Sequence, residues 1–238
     1  YARFEGLRAA YRRAECAMQL AQVWSQIGHY DTAHIYLDKA TEYGVSTGQA
    51  NFLANVYNFR AKTLFRQQRS DEAVTYLQRA LAVARGQGAQ AQIALAQRLL
   101  GEALAALDQF DDALEPLQNA HAGFVEMGMS LEQAICLVAL GNCYLNLAQP
   151  AAAHTAYQQA LDLSQGLLPD TDWQAWAGLA QLAETATDES AATQANEHML
   201  ETLSRLRRGF SQPTLAGAYL QRPAPALDRA VRLAVRRA

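Results

Sequence analysis

Small and apolar positions return along this chain with a period of forty. The stretch Asp108-Gln109-Phe110-Asp111-Asp112-Ala113-Leu114-Glu115-Pro116-Leu117-Gln118-Asn119-Ala120 reads as a turn followed by a helix with small residues on one face. The same spacing appears in Ala33…Leu37…Ala40, Ala73…Leu77…Ala80 and Ala153…Tyr157…Ala160. Ahead of each copy a second helix is predicted. Ala17, Leu20, Ala21 and Trp24 follow the i, i+3, i+4, i+7 rule of a buried stripe. Tyr57, Ala61 and Leu64, then Leu100, Gly101 and Leu104, then Leu137, Leu140, Gly141 and Tyr144 repeat it. Two helices joined by about three residues must pack antiparallel and close. The small residues shared by position (Ala21, Ala61, Gly101, Gly141 on the first helix; Ala33, Ala73, Ala113, Ala153 on the second) make that approach sterically possible.

The pattern covers residues 8–167 as four helix pairs. Gly6, Gly86 and Gly166 are expected to stop second helices as left-handed caps. On that reading residues 1–7 are the end of a preceding helix, and the native protein continues upstream of Tyr1. Residues 168–208 hold a degenerate fifth pair. Leu168-Pro169-Asp170-Thr171-Asp172 breaks the chain and can cap its first helix, and aligning Ala180 and Ala192 restores the period if one residue is dropped. Residues 209–238 are expected to form arginine-rich closing helices, with a short helix over Phe210–Arg222. A last one places Leu227, Ala230, Val231 and Ala234 inward, and the tail is expected to pack on the fifth pair.

Position by position, this resembles the tetratricopeptide repeat (TPR). Small residues stand at the eighth, twentieth and twenty-seventh positions, with a bulky residue at the twenty-fourth. Leu140-Gly141-Asn142-Cys143-Tyr144 through Ala153…Tyr157…Ala160 carries the resemblance best. The resemblance implies an all-α, right-handed α-solenoid. The repeat here is longer than the usual one of roughly 34 residues.

Charge divides the chain. Residues 205–238 hold eight arginines against Asp228 alone, a balance of +7, which leaves −10 on residues 1–204. An acidic body does not suit a nucleic-acid groove, which needs clustered Lys and Arg. No apolar run approaches the roughly 20 residues that span a bilayer, so no membrane partner is expected. Cys16, Cys136 and Cys143 make no disulfide framework and are expected to be small core residues of a cytoplasmic protein. No catalytic site, metal site or cofactor is predicted: the five histidines are scattered, no ligand pair has metal spacing, and the glycines mark repeat boundaries rather than a phosphate loop.

Function is therefore sought on a surface. In TPR superhelices the first helix of each pair lines the inner face. Carried over by register, Ser25, Asn55, Asn58, Lys62, Arg66, Arg98, Glu102, Asn142 and Asn146 fall there. Asn55, Asn58, Lys62 and Arg66 form one stripe of amides and cations that Arg98 can join. Amides suit an extended peptide backbone and cations suit a carboxylate, whereas Glu102 opposes an acidic ligand. The expected function is a non-catalytic protein-interaction scaffold that grips a protein or peptide segment in its groove. Leu200…Leu203-Ser204-Arg205-Leu206-Arg207-Arg208, then Phe210, Tyr219-Leu220 and the last helix, resemble the segment joining TPR arrays to a CHAT (caspase-like) peptidase domain in bacterial proteins. That resemblance implies an intramolecular effector domain downstream. The alternative is a small-ligand sensor resembling the TPR ends of bacterial signal-transduction ATPases, which an enclosed apolar pocket would favour.

Overall fold

The computed structural model describes residues 2–209 and 223–237. The chain divides into two compact units, Tyr1–Met127 and Gly128–Ala238. The expected short helix over 210–222, with Phe210, Tyr219 and Leu220, lies outside the described residues.

Unit 1 consists of three antiparallel helix pairs: α1 (Ala2–Gln26) with α2 (Tyr30–Thr47), α3 (Ala50–Arg66) with α4 (Ser70–Gly86), and α5 (Gln90–Ala105) with α6 (Phe110–Glu126). The predicted small positions form its core. Ala17, Ala21, Ala33, Leu37 and Ala40 pack with Phe52 and Val56 of the next pair. Ala61, Leu64, Ala73 and Leu77 pack in turn with Leu99 and Ala103. Each pair thus buries one face internally and the other against its neighbour, as a repeat stack requires.

The structure corrects several expectations. Gly6 ends no helix, because α1 runs through it from Ala2 to Gln26; the strong helix formers Leu7-Arg8-Ala9-Ala10 that follow carry the helix on. Gly86 remains helical, and after α2, α4 and α6 the left-handed glycines lie two residues later, at Gly48, Gly88 and Gly128, whereas Gly166 is left-handed after α8 as expected. Leu20 is exposed, whereas its counterpart Leu100 packs against Ala80 and Leu81 of the preceding pair. Cys16 is exposed, while Cys136 and Cys143 are buried.

The turn inside each of the first four pairs is built by backbone rather than by side-chain caps, and in the fifth Asp188 Oδ1 also accepts the Ala191 N–H at 3.0 Å. Arg69 N–H donates to the Leu64 carbonyl at 3.0 Å and Gln68 N–H to the Phe65 carbonyl at 3.0 Å, the paired bonds of a Schellman motif. Gln109, Gln149 and Asp188 repeat the longer bond. The motif needs a left-handed residue, and Gln68, Asp108, Ala148 and Thr187 adopt it with φ of 60°, 58°, 54° and 59° where Gly28 does so in the first pair.

Unit 2 holds α7 (Ser130–Asn146), α8 (Pro150–Ser164), α9 (Pro169–Thr185), α10 (Glu189–Gly209) and α11 (Ala224–Arg237). Pro169 opens α9 as Ala50 opens α3, and Thr187 takes the turn position of Gln68, an offset of 119 in both cases. Neither Asp170 nor Asp172 caps α9: the N-cap is Leu168, without a side-chain bond, and Pro169 fills the first helical position, where its missing N–H costs nothing. α9 packs on Ala134, Leu137 and Val138 of α7 and on Tyr157 and Ala160 of α8. α11 uses the corresponding places of α9 one pair later, Trp173, Trp176 and Ala177, together with Met199 and Leu203 of α10. It stands where the first helix of a sixth pair would stand, with Ala226 and Ala230 buried. Val231, expected to face inward, is exposed; the contact line of α11 runs through Ala226, Leu227 and Ala230 instead.

Candidate functional site

Four of the expected inner-face residues meet in unit 1. Lys62 on α3 is half-buried, and its ammonium pKa is lowered, first by burial and then by the guanidinium of Arg98, with a further push from Arg66 and a counter-pull from Glu102. Arg98 and Glu102 form an i, i+4 ion pair on α5. Arg98 Nε is nevertheless buried with no hydrogen-bond partner. Arg66 is exposed; its Nη1 donates to Ser25 Oγ at 3.3 Å, and its carbonyl accepts the Tyr30 hydroxyl at 3.4 Å. The cluster therefore sets three cations against one carboxylate that is already engaged.

Asn58 stands one turn before Lys62 and is only 2% exposed. Neither its amide oxygen nor its amide nitrogen has a hydrogen-bond partner. A buried, unsatisfied amide costs about 1–3 kcal/mol, so this position is held at the expense of stability. Asn55, a further turn back, is half-buried.

Asn142 and Asn146 belong to unit 2 and have local partners. Asn142 is exposed, and its Oδ1 accepts the Tyr157 hydroxyl at 2.7 Å. Asn146 Nδ2 donates to the Asn142 carbonyl at 2.8 Å. Burial holds the Tyr157 hydroxyl well above the usual phenol range, so it remains a donor at neutral pH.

Three groups with catalytic potential, Cys143, His34 and His198, have other surroundings. Burial pushes the Cys143 thiol up to about 11, which removes the thiolate a nucleophile requires. His34 Nε2 bonds Gln67 Oε1 at 2.9 Å, and His198 stacks on Trp176 at 4.5 Å. Among the described residues, no group of three or more His, Cys, Asp or Glu is placed to hold a metal ion. No helix among them is long and apolar enough to cross a membrane.

Sequence reasoning missed a buried polar pair in unit 2. Ser164 donates its hydroxyl to Asp172 Oδ1 and accepts the Gly166 N–H at 3.2 Å, with both side chains buried. Burial raises the Asp172 pKa, while the Ser164 bond and Arg205 partly offset it. Its signal was the departure from period: this turn lies where the forty-residue spacing fails.

With this geometry in hand, the comparisons agree on the fold. Residues 52–126 and 92–166 match the tetratricopeptide repeat family model, so this part of the chain carries tetratricopeptide repeats. Among solved structures, it is similar to BtubC (BKLC) from P. vanneervenii, with 18% identity, a TM-score of 0.69, and 89% of this chain and 94% of that one covered. It is also similar to Pseudomonas aeruginosa pilF, with 19% identity, a TM-score of 0.66, and 96% and 91% covered. A signal transduction ATPase with a tetratricopeptide repeat sensor, from Pyrococcus horikoshii, gives 14% identity and a TM-score of 0.73. The match covers 97% of this chain and 36% of that protein. No curated protein matches. The chain is an all-α tetratricopeptide repeat solenoid, and its family match supports a protein-interaction scaffold with no catalytic family indicated.

Proposed function

We propose that the inner face of unit 1 binds a protein or peptide segment that presents an acidic group. The observation that carries this reading is the pairing of an unsatisfied buried amide, Asn58, with the surplus of positive charge at Lys62, Arg66 and Arg98. The unliganded chain leaves three costs unrelieved there: an amide with no partner, a guanidinium Nε with none, and cations that repel one another. A segment carrying a carboxylate beside a backbone amide offsets the repulsion directly, and relieves the buried amide once the Asn58 side chain turns out toward it. The carboxylate takes charge-assisted bonds from Lys62 and Arg98, and the Asn58 amide can both donate to and accept from a peptide unit. Glu102 is paired with Arg98, so the three cations keep a net surplus of two charges for this ligand.

On this reading the chain is a recruiting or regulatory module. An effector domain on the same polypeptide, a CHAT peptidase among the candidates, would act on what the module gathers. The test is affinity capture from the source cell's lysate, comparing the chain with its Asn58→Ala/Lys62→Ala/Arg66→Ala/Arg98→Ala variant. A protein retained by the chain and lost by the variant supports the reading. Equal retention places binding elsewhere and overturns the site.

A further inference from the structure

The second helices of neighbouring pairs form grooves whose floor is the first helix between them, and two copies of this groove in the chain differ in what fills them. In unit 1 the groove between α2 and α4 is filled by the chain itself. Arg60 donates to Asp38 at 2.5 Å and lies over the Tyr76 ring at 5.2 Å. Tyr76 in turn sits 6.0 Å from the Tyr57 ring, and the His34–Gln67 bond closes one end. In unit 2 the corresponding positions between α8 and α10 hold Leu179 for Arg60, Ala195 for Tyr76 and Ala186 for Gln67, while Trp176 replaces Tyr57 and His154 keeps the place of His34. The three larger fillers are each replaced by a smaller, apolar side chain, and a cleft of about 490 Å³ results, lined by these residues. That volume lies within the range of roughly 300–1,000 Å³ of natural ligand sites.

What is missing from the cleft defines its occupant. Trp176 is backed on one side by His198, at 4.5 Å and 25°, and its neighbouring ring, the counterpart of Tyr76, is gone. The floor is apolar at Leu179, Leu182 and Ala195. The lining carries one carboxylate, Asp188, whose Oδ1 also accepts the Ala191 N–H, and no lysine or arginine, so its charge complements a cation. We infer that this cleft takes in trans what Tyr76 and Arg60 supply in the other copy: an aromatic side chain with an adjacent arginine or lysine, presented by a partner protein segment. The site is independent of the acid-binding inner face of unit 1 and prefers the opposite charge.

The test uses the whole chain and the capped peptide Ac-Gly-Trp-Arg-Gly-NH2, with Ac-Gly-Ala-Arg-Gly-NH2 and free indole as controls. Binding is followed by the NMR signals of the Trp176 indole and the His154 ring. The expected result is a saturable shift with the tryptophan peptide, weakened at least about tenfold for the alanine peptide and by added salt. Ala195→Tyr, which refills the cleft, should weaken the tryptophan peptide at least about tenfold. Ala186→Gln, at an exposed position, should do so in part by closing the rim through His154, and it decides the matter if Ala195→Tyr does not fold. The proposal is overturned by no shift at millimolar peptide, by equal binding to both variants, or by indole binding as tightly as the peptide, which would make the cleft a small-molecule site.

Discussion

The ring of Tyr157 lies between two glycines of different helices, Gly141 on α7 and Gly178 on α9. A Cβ added at Gly141 would stand 2.6 Å from Tyr157 Cε1, and one added at Gly178 would overlap the ring and lie 2.7 Å from its hydroxyl oxygen. The three pairs of unit 1 place leucine at this position, Leu37, Leu77 and Leu117. Gly101 faces Leu117 as closely as Gly141 faces Tyr157, so the larger ring is accommodated chiefly by the missing side chain at Gly178. Gly178→Ala should therefore destabilise the chain by about 1–3 kcal/mol through overpacking, even though alanine favours a helix by about 1 kcal/mol. Tyr157→Leu in the same chain should remove most of that penalty. Urea unfolding of the two single variants and the double variant checks the coupling; additive effects would contradict it.

Thr187 sits at φ 59° in the turn between α9 and α10. A left-handed conformation costs a residue with a Cβ about 1–2 kcal/mol, and β-branching adds to this. Thr187→Gly is expected to raise the midpoint of thermal unfolding, whereas Gly28→Thr, at the equivalent turn of the first pair, should lower it. Calorimetry on both variants tests the pair of signs.

Asp172 supplies a pH dependence. Its folded-state pKa is raised, chiefly by burial, so folding favours its protonated form. The sign follows: its contribution is fully present below the unfolded value of about 3.9 and is lost as pH rises through the higher folded value. Asp172→Asn keeps an acceptor for Ser164 without the charge. Relative to this variant, the native chain should lose stability as pH rises from about 4 to its folded value and then level off. Denaturant unfolding across that range measures it, and a constant difference would contradict this assignment.

Asn58 and Lys62 are predicted to trade stability for binding. Replacing the unsatisfied amide in Asn58→Leu, or the partly buried and repelled ammonium in Lys62→Met, should stabilise the unliganded chain by about 1 kcal/mol. The lowered Lys62 pKa has the matching sign: the unfolded chain binds more protons above the folded value, so stability contributed through this site increases as pH rises there. Thermal melts of both variants should show the gain. A loss of stability in both would mean these groups serve the fold rather than a ligand.

The architecture was legible because its cause is local and repeated. Ala33, Ala73, Ala113 and Ala153 are all fully buried, and a fourfold recurrence of small residues at fixed spacing is what close antiparallel helix pairs demand. The repeat register also brought Lys62, Arg66, Arg98 and Glu102 to one place. What the pattern could not express was how much water each position keeps. Asn58 reads as a groove amide, and only packing reveals that it is buried without partners. Left-handed turns at Gln68, Asp108 and Ala148 were equally hidden, because backbone bonds fix them without the glycine that would announce them. The cleft beside Trp176 arises from substitutions that look harmless singly, Leu179, Ala186 and Ala195, and becomes visible when one copy of the groove is laid on another.

The measurement that tests the central claim most directly is a random-peptide display selection on the chain, counter-selected against its Lys62→Glu/Arg98→Glu variant. An acid-binding inner face predicts recovered peptides enriched in Asp and Glu, whose binding falls at least about tenfold on the variant and weakens with salt. Peptides without acidic enrichment, or acidic peptides bound equally by the variant, would contradict it.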